Sequence, residues 1–135
     1  MTISFNPAVP IFRIFSEEKA KEFYLGFLGF TLDWEHRFEP GMPLYMQVSR
    51  GGLVLHLSEH HGDGSPGATL FVETTGLDAL HAEVTAKNYR YLRPGIEDAP
   101  WGARVMTVTD PFSNRIRFSE RHRPPAAPGR PSGRS

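Results

Sequence analysis

The sequence predicts an α+β fold in which two βαβββ modules form curved sheets around a cleft. Three observations carry this expectation. Two segments have helical periodicity, short alternating runs bounded by turn residues surround them, and the order strand, helix, three strands occurs twice. The second copy follows the first at a spacing of about sixty residues, an internal repeat only weakly visible as identity. Module one is expected over about 5–60 and module two over about 66–121, inside one domain of residues 1–122.

The first element is a strand over 8–15, followed by a helix from Glu17 to Leu28. There Ala20, Phe23, Tyr24, Phe27 and Leu28 fall at helical spacing and form one wide apolar stripe, while Glu17, Glu18, Lys21 and Glu22 lie largely opposite. Ser16 suits the N-cap and Gly29 the C-terminal end. Three alternating runs follow at 31–37, 44–49 and Leu53–Ser58, the last two joined by Arg50-Gly51-Gly52 as a tight hairpin.

Module two repeats the order. A strand over 68–73 leads to a helix from Leu77 to about Asn88, with Leu77, Leu80 and Val84 on one face. Thr75 three residues before Asp78 suggests a capping box with the shorter acid. Strands over 89–93, 104–109 and 115–119 complete it, with Asp110-Pro111-Phe112-Ser113-Asn114 as the final turn. From Arg123 to Ser135 the chain is too rich in Pro, Gly and Arg, and too poor in apolar residues, to offset its ordering entropy, so 123–135 is expected to be a disordered tail.

Composition limits the chemistry. The absence of cysteine removes thiolate nucleophiles, thiolate zinc sites and disulfides. Basic and acidic residues balance at 15 each, but Arg123, Arg130 and Arg134 lie beyond the last acid, Glu120, so the domain itself is slightly acidic. Nucleic-acid binding needs a basic face and is not expected. No apolar run is long enough to span a bilayer and no leader pattern is visible, so a cytoplasmic location is expected.

The segment Lys21-Glu22-Phe23-Tyr24 running to Leu28-Gly29-Phe30 resembles the FY…LGF signature of the glyoxalase/bleomycin resistance (vicinal oxygen chelate) superfamily. Pro100-Trp101-Gly102, followed by Asp110-Pro111, Asn114 and the closing strand, resembles its PWG…DPxGN ending. The resemblance covers nearly the whole chain before the tail, and with the Ala8-Val9-Pro10 start it is closest in texture to the bleomycin-resistance type. It implies the glyoxalase/bleomycin resistance/dioxygenase fold. It also implies a metal set at four positions, which here fall on Pro10, His56, Thr69 and Arg117. Only His56 among them suits a divalent cation, since proline offers no side-chain donor, threonine is a poor ligand and a charged arginine repels the ion.

The resemblance therefore implies small-molecule binding by sequestration, of the kind that gives bleomycin-type antibiotic resistance, with no metal and no cofactor. The alternative is a lyase or other enzyme of the same superfamily with an atypical metal site. A third possibility is a non-catalytic interaction module. The resemblance further implies a homodimer with a swapped or shared first strand crossing near Pro10, and a ligand that is a planar or glycopeptide-like compound. One departure is charge: the drug-binding members are markedly acidic, and this domain is only slightly so.

Seven residues are candidates for the ligand site. His56 interrupts Leu53, Leu55 and Leu57 and should face the cleft, either to hydrogen-bond or stack on a ligand, or satisfied by a neighbour. Arg117, between Ile116 and Phe118, should face away from the core, where it could pair with Glu73, grip an anionic group, or stand solvated on an edge. Trp34, Phe38, Tyr45 and Trp101 are aromatic groups outside the helix stripes, suited to stacking at a pocket mouth or to core packing. Glu59-His60-His61 is rich in donors, but adjacent side chains point apart, so a solvated loop is expected. Glu35-His36-Arg37 lacks the paired carboxylate or nucleophile that would make it catalytic.

Overall fold

The structure, a computed structural model, describes residues 2–122; the tail expected over 123–135 lies outside them. Module one runs β1 (Ile11–Arg13), α1 (Glu17–Lys21), a π-helical segment (Glu22–Phe27), β2 (Thr31–His36), β3 (Tyr45–Arg50) and β4 (Leu53–Ser58). Module two runs β5 (Thr69–Glu73), α2 (Leu77–Ala86), β6 (Ile96–Ala99), β7 (Ala103–Thr109) and β8 (Arg115–Arg121). Each module builds one four-stranded sheet, ordered β1-β4-β3-β2 and β5-β8-β7-β6, so the repeat read from the sequence is a repeat of topology. In both sheets the first strand pairs in parallel with the last, and the other pairings are antiparallel.

The helix-facing sides of both sheets share one core. Met46, Val48, Leu55 and Leu57 from the first sheet, Met106, Val108, Ile116 and Phe118 from the second, and Phe23, Tyr24, Phe27, Leu77 and Val84 from the helices form a single buried cluster. Polar links reinforce this join. Tyr24 in the first helix donates to Asp110 in the last hairpin at 2.7 Å, and Asn114 donates to the Arg13 carbonyl at 2.8 Å. Lys87, at the end of α2, donates to the Gly26 and Phe27 carbonyls, while Arg50 donates to that of Leu28. Cations thus meet the unsatisfied C-terminal carbonyls of the first helix, where they are most favourable.

Several elements differ from expectation for identifiable reasons. The first helix begins as expected, with Ser16 Oγ accepting from Lys19 N at 3.1 Å, but its second half is π-helical, closed by Leu28 N donating to the Phe23 carbonyl five residues back. The wider turn buries Phe23, Tyr24, Phe27 and Leu28 together. No capping box forms at Thr75. Gly76, in the left-handed region at φ 88°, precedes α2, and Asp78 instead takes a forked pair of bonds from Arg104 at 2.7 and 2.9 Å. The strand expected over 89–93 is absent. The chain leaves α2 through Asn88 at φ 53°, Tyr89 stacks on Phe27 at 4.7 Å, and pairing resumes only at Ile96, beyond Pro94. The first strand is shorter than 8–15. Among the described residues, no helix is long and apolar enough to cross a membrane.

Candidate functional site

Strand alternation gives each sheet a second face, turned away from the core. On β3 the buried Met46 and Val48 alternate with Tyr45, Gln47 and Ser49; on β4 the buried Leu55 and Leu57 alternate with Val54 and His56. Antiparallel pairing sets Gln47 directly opposite His56. Parallel pairing sets Ile11 on its other side.

β2 completes this face through a bulge. Its register shifts between Leu32 and Trp34, so that Leu32 faces Val48 while Trp34, two residues on, faces Gln47. Asp33 and Trp34 therefore both meet Gln47, and the indole stands on the outward face. Its ring lies 6.0 Å from Tyr45, nearly parallel at 9°, and 5.3 Å from His56 edge-on; Tyr45 and His56 are 5.1 Å apart, also edge-on.

Hydrogen bonds run through this cluster in one direction. Gln47 Nε2 donates to Asp33 Oδ2 at 3.0 Å, which turns the Gln47 carbonyl oxygen toward His56 Nε2, also at 3.0 Å. An acceptor there requires His56 to carry its proton on Nε2, leaving Nδ1 to accept from the Tyr45 hydroxyl at 2.7 Å. Bonds from Gln47 and Ser49 hold the Asp33 carboxyl below its ordinary value. Burial pushes the His56 pKa down, and it pushes Tyr45 up with help from the negative charge of Asp63. The resting cluster is a neutral imidazole, a neutral phenol and a charged carboxylate joined by an amide.

Of the candidates, Trp34, Tyr45 and His56 come together. Phe38 is 75% exposed in the loop after β2, where its ring meets His36 at 5.1 Å and not the cluster. Trp101, Arg117 and Glu73 belong to the second sheet: Trp101 is 62% exposed at the β6–β7 turn, and Arg117 projects from β8 between the buried Ile116 and Phe118. Glu73 does not partner Arg117. The parallel register sets Phe71 opposite Arg117 and Glu73 opposite Ser119, and the acid approaches Arg121 at 3.8 Å instead. Glu35 and Arg37 are held toward the first helix, Glu35 by Lys21 at 2.9 Å and Arg37 by Glu17.

The same registers revise the four positions at which a metal would be held. Ile11, not Pro10, lies beside His56, and Phe71, not Thr69, lies beside Arg117; Thr69 is opposite Arg115. Two of the four side chains at these corners are hydrocarbon and one is a permanent cation. The donor set does not fit a catalytic metal ion, which needs three or more ligands. Among the described residues, no group of three His, Asp or Glu side chains is placed to hold one.

Cavities of about 500 Å³, between Phe30, Arg50, Leu53, Val72 and the start of α2, and of about 340 Å³, beside Phe23, Tyr89, Tyr91 and Asp110, are lined neither by the Trp34 cluster nor by Arg117. An open sheet face becomes a cleft only when another surface faces it. Sequence reasoning missed Gln47, Asp33, Ile11 and Phe71. Alternation from Tyr45 would have found Gln47, but the others depend on a bulge and on parallel register.

A family model described as glyoxalase superfamily protein matches residues 1–124. A bleomycin-binding protein complexed with bleomycin is 20% identical, with 87% of this chain and 100% of that one covered at a TM-score of 0.66. A bleomycin-binding protein from bleomycin-producing Streptomyces verticillus, complexed with copper(II)-bleomycin, is 27% identical over 87% and 97% of the two chains, with a TM-score of 0.65. A glyoxalase-related enzyme from Clostridium phytofermentans is 22% identical over 88% and 97%, with a TM-score of 0.69. A comparison with curated proteins gives no match.

Proposed function

Because this chain belongs to the glyoxalase superfamily, we propose that it is a small-molecule binding protein that sequesters a planar natural product, in the manner of bleomycin-type resistance, without a metal. The observation that carries this reading is the Trp34–Tyr45–His56 cluster on an open sheet face. Flat rings with few rotatable bonds stack on planar ligands at small entropic cost. His56 with its Gln47 and Tyr45 partners supplies polar edges at fixed positions. The hydrocarbon at Ile11 and Phe71 supports binding without metal chemistry.

A second copy of the chain closes the cleft. Support comes from apolar side chains left open in a single copy: Ile3 and Phe5 (92% exposed) in the N-terminal arm, and Ile11, Phe71 and Trp101 beside the outward faces. Exposed apolar groups in such number mark an interaction surface. An arm that pairs with the partner's sheet would cover them.

The test is a fluorescence titration with bleomycin and with planar aromatic compounds, in chains that keep one of the two tryptophans. Quenching of Trp34 that saturates, and that W34L removes, is the expected result. Flat traces at high micromolar concentration for every compound would end the sequestration reading.

One observation favours an enzyme. Tyr45 stands between the open face and the free Nδ1 of His56, placed to pass a proton from a bound substrate to the imidazole, while Gln47 and Asp33 hold the ring in orientation. An assay of lactoylglutathione formation, with metal content measured after metal-free purification, decides it; turnover abolished by H56Q would favour catalysis over storage.

A further inference from the structure

The two modules present unlike chemistry at equivalent places. His56 and Arg117 each stand between two buried side chains, on the strand that pairs in parallel with the first strand of its module, and each faces a hydrocarbon neighbour, Ile11 or Phe71. Around His56 the face is aromatic and its polar groups satisfy one another. Around Arg117 it is cationic. Arg115 and Arg117 project from the same side of β8, about 7 Å apart by strand geometry, with Thr109 and Thr107 opposite them on β7.

Of the five other arginines on or beside the strands, four have a carboxylate within 4.0 Å, and the fifth, Arg13, lies over the Phe15 ring at 4.4 Å. Arg37, Arg50 and Arg104 are each held by a carboxylate, and Arg121 lies 3.8 Å from Glu73. Neither Arg115 nor Arg117 has an acidic partner among the described residues. Both are exposed. Two permanent charges side by side repel each other and present ten N–H donors with no side-chain hydrogen bond among the described residues, the arrangement in which guanidinium groups take the oxygens of an anion.

From this asymmetry, and resting on the reading that a second copy closes the outward faces into one cleft, we infer that the ligand is a planar aromatic anion. Its ring stacks on Trp34 and Tyr45 of one face. Its carboxylate, sulfonate or phosphate is taken by Arg115 and Arg117 of the other. Arg115 and Arg117 are then the specificity-determining residues, and a cationic ligand such as bleomycin is disfavoured at the same site.

The experiment compares anthraquinone-2-sulfonate with neutral 2-hydroxymethylanthraquinone, by quenching of Trp34 and by calorimetry, on the full chain. The sulfonate should bind about tenfold more tightly, the value of one charge-assisted contact, and added salt should shrink that advantage. In R115Q/R117Q the ratio of the two affinities should fall to about one. Equal affinities in the unaltered protein, or a ratio that survives in the double variant, overturn the anion assignment and leave sequestration standing, because the neutral compound still reports the stacking site. Octanesulfonate binding as tightly as the aromatic sulfonate also overturns it. Failure of both anthraquinones to bind removes the sequestration reading, and the anion assignment falls with it.

Discussion

The Tyr45 hydroxyl donates to Nδ1 of His56 across 2.7 Å, a direction set by the Gln47 carbonyl, which keeps the imidazole proton on Nε2. A protonated His56 would lose that acceptor, so the contact favours the neutral ring and adds to the burial that already lowers its pKa.

His56 should therefore titrate below the ordinary histidine value in an NMR titration of its ring proton, and Y45F should move the midpoint upward. A base whose folded value lies below its unfolded one contributes stability that is present above the unfolded value and is lost as pH falls through the folded value. Urea midpoints should accordingly drop more on acidification in the unaltered protein than in H56Q. An unshifted or elevated midpoint would contradict the hydrogen-bond direction described above.

Tyr24 donates to the buried carboxyl of Asp110 at 2.7 Å, and Asp110 also accepts from Asn114 and from the backbone of Phe112 and Asn114. Y24F should lower stability by about 1.5–3 kcal/mol, as for a hydrogen bond to a charged group, read from denaturant midpoints. Burial raises the Asp110 pKa, so the acceptor becomes neutral sooner on acidification than an exposed aspartate would. The penalty for Y24F should be larger at neutral pH than in acid.

Gly29 ends the first helix at φ 74°, and a Cβ there would come within 2.7 Å of an Arg50 nitrogen. G29A should cost about 1–2 kcal/mol from the left-handed backbone alone. It should also displace Arg50, which bonds the Leu28 carbonyl and Glu83. A thermal midpoint unchanged by G29A would show that the helix end relaxes freely.

Sedimentation should find a dimer, and I3D/F5D in the N-terminal arm should shift it to the monomer without unfolding it, because neither side chain belongs to the core. A monomeric unaltered chain at tens of micromolar would remove the second copy from the binding reading.

Much of the fold was legible because local signals agreed. The stripe Ala20, Phe23, Tyr24, Phe27 and Leu28 marked a helix, and the paired glycines Gly51 and Gly52 marked the β3–β4 hairpin, where both have positive φ. The missed strand at Ile96–Ala99 is instructive. Tyr89 and Tyr91 have the aromatic character of strand residues, but here the Tyr89 ring packs on Phe27 across the module boundary with Tyr91 edge-on to it, a tertiary demand that overrides propensity. The site was partly legible. His56 betrayed its orientation by interrupting an apolar run, whereas Ile11 and Phe71 became site neighbours only through parallel registers that no local pattern encodes.

The irregularity in β2 makes the chain length of one short strand a determinant of what the protein can hold. Deleting Asp33 would restore regular pairing between Leu32 and the residues after it, removing the carboxylate that orients Gln47 and leaving Trp34 directly after Leu32. Inserting a residue at the same place would instead turn the indole toward the helices. Aromatic recognition on this face is thus set by counting, and a relative with one residue more at this point would lose it with every ring still present in its sequence.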